Sequence, residues 1–134
     1  MKTKHSLEAS DVKAILAAGE AEARANGWAV TIAVVDDGAH LLGLLRLDGA
    51  SASTAQMAPA KATTSVLGRR ESKVYEDLIL GGRITMLSAP GMQAMLEGGV
   101  PIIVDGDIVG AVGVSGVKSD QDAQIARAGI AAIL

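Results

Sequence analysis

Between Leu7 and Asn26 apolar residues recur at helical spacing. Leu7, Val12, Ile15 and Leu16 join a run of alanines on one stripe, while Glu8, Lys13, Glu20, Glu22 and Arg24 fall mostly outside it. The spacing predicts a helix over 7–26. Ser6 or Ser10 is placed to cap its start, and Asn26-Gly27 suits a left-handed ending. From Trp28 the period shortens. The run AVTIAVVDDGAHLLGLLRLDGA reads as two strands separated by Asp36-Asp37-Gly38-Ala39, with Asp-Gly a strong hairpin signal. Val30, Ile32 and Val34 lie on one face of the first strand and Ala33 and Val35 on the other, so it is predicted to be an inner strand covered on both sides.

An alanine-rich helix follows Gly49, in which Pro59 must either open the main part or bend it. Residues 71–97 carry a helical piece over Lys73 to Leu80, then Gly81-Gly82, then a stretch with no clear period ending in MQAMLE. Gly98-Gly99-Val100-Pro101 breaks the chain before a second hairpin, IIVDGDIVGAVGVSG, turning at Asp105-Gly106. Ser119-Asp120-Gln121-Asp122 has the form of a capping box ahead of a final helix. Helix, hairpin, helices, hairpin, helix predicts a mostly antiparallel sheet with helices on both faces, or helices on one face and a neighbour on the other.

The length of 134 residues predicts one domain over 1–134. With 49% hydrophobic and 20% charged residues the chain is expected to be ordered and soluble, and no apolar run reaches the ~20 residues of a membrane span. The polar start Met1-Lys-Thr-Lys-His5 and the absence of cysteine predict a cytoplasmic location. A net charge of −3, with no lysine cluster and no row of aromatics, argues against nucleic acid as a partner. Trp28 and Tyr75 are the only aromatics, against 24 alanines and 16 glycines. Small side chains bury little area each, so additional burial between subunits is expected: the chain should be a homo-oligomer.

Familiar catalytic patterns do not fit. Gly110, Gly113 and Gly116 have the wrong spacing and place for a dinucleotide turn, and the sequence around Ser115 is one glycine short of a nucleophile elbow. Two histidines and no cysteine leave a zinc site without ligands. What remains is a set of polar groups at strand ends. His40, Arg46 and Asp48 share a face of the second strand, where Arg46 and Asp48 either pair with each other or meet a ligand. Lys61, a lone cation in AKATTS, either snorkels to water or points at a ligand. Backbone N–H groups at Gly98-Gly99 and Ser115-Gly116 either belong to simple turns or hold an anionic oxygen.

Taken together, VVDDGAHLLGLLRLDGAS, APAKAT, GGVPIIVDGDIVGAVGVSG and the Asp120-Gln-Asp122-Ala helix start resemble the GlcG/HbpS family, which is related to the carboxy-terminal domain of PduO-type corrinoid proteins. The resemblance runs from Leu7 to the C-terminus and is weakest between Arg69 and Glu97. It implies an α/β fold of the α+β type, a three-layer α/β/α arrangement on a five-stranded, mostly antiparallel sheet, and homo-oligomeric assembly. It also implies haem or a related tetrapyrrole as ligand, and a setting among operons that degrade small acids, diols or aromatic compounds. His5, His40, Tyr75 and five methionines could ligate a haem iron. His40, beginning the second strand beside a flexible turn, is the candidate iron ligand, against the alternative of a solvated hairpin histidine. The competing reading is a cofactor-independent enzyme acting on a carboxylate-bearing catabolite by hydration, elimination or tautomerisation. Arg46 and Lys61 would hold its anion, backbone donors at Gly99 and Gly116 would stabilise charge, and Asp48, Glu97 or His40 would move the proton. A third reading is a purely structural or interaction subunit.

Overall fold

The helical stretch at the amino end folds as α1 (Ala9–Ala25), burying Val12, Ile15 and Ala23, in a computed structural model that describes residues Met1–Leu134. Neither serine caps it. Glu8 is the N-cap, and the Asp11 carboxylate accepts the Glu8 N–H at 2.8 Å, where negative charge also meets the positive end of the helix dipole. Gly27, at φ +70°, turns the chain out of the helix. The first hairpin is β1 (Thr31–Asp36) and β2 (Leu41–Arg46), closed by a turn in which Ala39 takes φ +68°.

Next come α2 (Thr54–Gly68), α3 (Lys73–Leu80) and a 3₁₀ turn (Ile84–Ser88). Pro59 sits inside α2 without ending it; Arg69, in the left-handed conformation, does that. The second hairpin is β3 (Gly99–Val104) and β4 (Asp107–Ser115), and α4 (Ser119–Ala131) closes the chain. The cap of α4 lies one residue earlier than the capping-box reading placed it. Lys118 is the N-cap, its N–H donating to Gln121 Oε1 at 3.3 Å, while Asp122 accepts the Val117 N–H at 3.1 Å.

The strands form one antiparallel sheet in the order β2-β1-β4-β3. It has four strands, which corrects the five the resemblance implied. The stretch before β3 contains Pro90-Gly91, lacks alternation and joins no ladder. Helices α1 and α4 pack together on one face, and α2 crosses the other over β4, β1 and β3 while barely reaching β2. The larger core lies under α1 and α4, around Ile15, Ile32, Val34, Val112, Val114 and Ile125; Val35, Ala62, Val66 and Ala111 form a smaller one under α2. A Cβ on Gly113 would stand 2.0 Å from Ala58 O and 2.6 Å from Ala62 N, so the glycine of β4 serves the close approach of α2. No helix is long and apolar enough to cross a membrane.

Candidate functional site

Lys61 lies on the sheet-facing side of α2 and reaches neither water nor open space. Its Nζ donates to Val114 O at 3.1 Å and to Asp122 Oδ2 at 3.0 Å, and the side chains of Lys61 and Asp122 are 4% and 2% exposed. Burial pushes the Asp122 carboxyl above its ordinary value, with Lys61 and the Val117 N–H opposing it. The Gly98-Gly99 turn is beside Lys61 as the sequence suggested, but the chain itself fills the place between them. A Cβ on Gly98, at φ +133°, would meet Lys61 Nζ at 2.9 Å. The Gly98 carbonyl accepts the Val114 N–H, and the Gly99 N–H donates to Ser72 Oγ at 2.8 Å. This cluster ties α2 to α4 across the end of β4.

Arg46 stands apart from it on β2. Thr31 of β1 is in register with Arg46 on one side and with Ser115 on the other, so a full strand separates the two. The guanidinium donates to Ala50 O through Nε (3.1 Å) and Nη2 (2.9 Å), bracing the loop after β2, and Asp48 is exposed without an ion-pair partner. Glu97 is half-buried and its N–H donates to Glu76 Oε2 at 2.8 Å. Ser115 is buried at the end of β4, and Gly116 is exposed at φ +149°, where a Cβ would stand 2.5 Å from Ala29 O and 2.8 Å from the Val30 α-carbon. The nine sequence-derived positions therefore do not surround one hollow. Lys61, Gly98 and Gly99 meet in a closed cluster, while Arg46, Asp48 and His40 lie on or beside the edge strand.

His40 is the one whose surroundings suit a ligand. The Asp36 carboxylate accepts the Gly38 N–H and the His40 N–H, each at 2.9 Å, and lies 3.2 and 3.3 Å from His40 Nδ1. Partial burial works against its charge, but those N–H groups and the imidazole outweigh it and hold the Asp36 carboxyl below the usual carboxylate range. An ionised carboxylate has no proton to give, so the hydrogen between them sits on Nδ1 and the Nε2 of a neutral ring carries the free lone pair. The His40 side chain is 82% exposed. Directly after it, Leu41, Leu42 and Leu44 are 56%, 41% and 37% exposed on the strand that α2 leaves uncovered. Asp36 is the residue the sequence reading missed; its position four residues before His40, across a tight turn, was the available signal.

Two concavities complete the picture. One, of about 370 Å³, lies beside the β1–β2 turn, with Lys2, Lys4 and Arg69 on its wall together with Asp37 and Asp107. Lys2 pairs with Asp107 and Lys4 with Asp37, whereas Arg69 makes no ion pair. The other, of about 350 Å³, is an apolar cleft between α2, α3 and the 3₁₀ turn that includes Met57, Ile79, Leu87 and Met95, with no histidine or cation.

A family model described as "Haem degrading protein HbpS-like" matches residues 7–131. The chain is 51% identical over 115 residues to Protein GlcG of Escherichia coli K12, covering 86% of this chain and 85% of that protein. Among solved structures it resembles a double mutant of Streptomyces reticuli HbpS (31% identity, TM-score 0.88, covering 100% of this chain and 91% of that one). It also resembles a protein crystallised as a PduOC:heme complex (27% identity, TM-score 0.86, covering 96% of each chain).

Proposed function

The chain belongs to the HbpS-like family, and from that premise we propose that it binds haem or a related tetrapyrrole through His40, as one domain over 1–134 acting in the cytoplasm as a homo-oligomer. One observation carries the choice of residue: Asp36 fixes the His40 tautomer and leaves Nε2 directed away from its partner on an exposed side chain beside three exposed leucines. A carboxylate hydrogen-bonded to the far nitrogen of a metal-ligating histidine sets the ring's orientation and raises its basicity. Such an imidazole would suit a haem iron. Leu42 and Leu44 offer apolar surface for a macrocycle. Arg69, the unpaired cation near the same turn, is the partner for a propionate. Bound haem would supply a redox-active iron; Leu42 and Leu44 would support the ring, Asp36 would set the His40 tautomer and Arg69 would neutralise a carboxylate. A structural relative crystallised as a PduOC:heme complex supports this reading.

The acid-binding enzyme reading finds less support, because the Lys61 ammonium is enclosed with Asp122 and the Gly99 N–H is already bonded to Ser72. Titrating the purified apoprotein with haemin tests the proposal. A saturable Soret shift is expected, lost in His40→Ala, retained in His5→Ala, and weakened about 10–100-fold in Asp36→Asn. Absence of any shift in the wild type, or a wild-type titration in His40→Ala, overturns it.

A further inference from the structure

Residues 1–7 are joined to the rest of the fold by side chains alone. None of them lies in a helix or strand, and no backbone hydrogen bond ties any of them to the body. Half-buried Leu7, packed against the main core, is their anchor. Ahead of it, Lys2-Thr3-Lys4-His5 carries three basic side chains, and each hairpin turn offers acidic ones: Asp37 in the first, Asp105 and Asp107 in the second. Charges of opposite sign meet one to one. Lys4 bonds to Asp37, Lys2 to Asp107, and His5 Nδ1 lies 3.6 Å from Asp105 Oδ2. The Lys2 hydrogen bond holds the Asp107 carboxyl below its ordinary value, and the charges of Lys4 and Arg69 add to the effect. One short segment thereby bridges two turns that are far apart in the chain.

Ion pairs in contact with solvent are individually weak and are screened by salt. With no ladder or buried polar contact behind them, residues 2–5 stay down only while these charges attract. What they help to enclose is the concavity of about 370 Å³ beside the β1–β2 turn, where Lys2 and Lys4 form part of the wall and Arg69 another part. We propose that residues 2–5 are an electrostatic clasp across the two hairpin turns, closed at low ionic strength and released when its charges are screened, which opens the concavity at Arg69. The clasp is a property of the haem-free protein; its consequence for a ligand rests on the haem reading. Closed, it neutralises the turn carboxylates, so a propionate approaching Arg69 meets little repulsion. Open, it leaves Asp37, Asp105 and Asp107 uncompensated around the same approach.

The chain has no cysteine, so Thr3→Cys, exposed between the two lysines, provides a single site for a nitroxide label. Electron paramagnetic resonance of the labelled, haem-free protein tests the clasp without any ligand. A broad, restricted-motion spectrum is expected at about 0.01 M salt, where charges act over ~30 Å, and a sharp, mobile one at about 1 M, where they act over ~3 Å. Lys4→Asp should give the mobile spectrum even at low salt, and adding Asp37→Lys to it should bring the restricted one back. Lys4 and Asp37 are both exposed, and circular dichroism should show the fold unchanged in each variant. A label that is already mobile at low salt, or one that responds to neither salt nor Lys4→Asp, overturns the clasp. Failure of the reversed pair to restrict the label overturns Lys4–Asp37 as the contact that holds it. Haemin that does not bind while the label responds as expected would strike the haem reading and leave the clasp standing.

Discussion

At the scale of single residues, the account turns on Asp36 and His40. The histidine stood out in the sequence because it begins a strand beside a turn. Its partner did not, because alternation along a strand says nothing about which side chains meet across a left-handed turn such as that at Ala39. The same limit hid the partner of Lys61, an aspartate 61 residues away that the sequence pattern had assigned to a helix cap. Asp36 also makes a pH prediction. Its folded-state value lies below the ordinary 3.8, so its ionised form is favoured by folding. The stability it contributes is fully present above 3.8 and disappears as the pH falls through the folded-state value. Urea unfolding of the wild type and Asp36→Asn should therefore show a gap at neutral pH that closes in acid. A gap that widens on acidification would contradict the assignment.

Among the elements, both hairpins, the first and last helices and the buried character of β1 were legible from periodicity and from the two Asp-Gly turns. The helix caps were displaced, since several polar residues near each start could serve and tertiary contacts chose among them. The fifth strand came from resemblance alone and is absent where the chain carries Pro90-Gly91. How α2 is tied to α4 was not legible at all. The Lys61–Asp122 pair joins helices on opposite faces of the sheet, and removing one member strands a charge in the interior. Lys61→Met is expected to cost about 3–5 kcal/mol in urea denaturation. Combining it with Asp122→Asn should recover most of that loss, because the amide still accepts the Val117 N–H and no charge remains buried. Equal losses in the single and double variants would show that packing, not the unpaired charge, sets the cost.

For the whole molecule, a chain with two aromatics builds its core from valine, isoleucine and alanine and leaves leucines uncovered along β2, around α3 and in the 3₁₀ turn. Part of that apolar surface stands next to His40, whose Nδ1 meets the Asp36 carboxylate. Family membership bears on the chemistry, and the edge strand is where exposed leucines stand beside His40. The polar hollow expected from the sequence is replaced by a closed cluster at one end of β4, and the proposed site lies instead at the sheet edge. A crystal structure of the haemin-loaded protein is the most direct test. Iron bonded to His40 Nε2, with the macrocycle against Leu42 and Leu44, is the predicted result; iron held by a methionine of the α2–α3 cleft, or away from His40 altogether, would contradict the account.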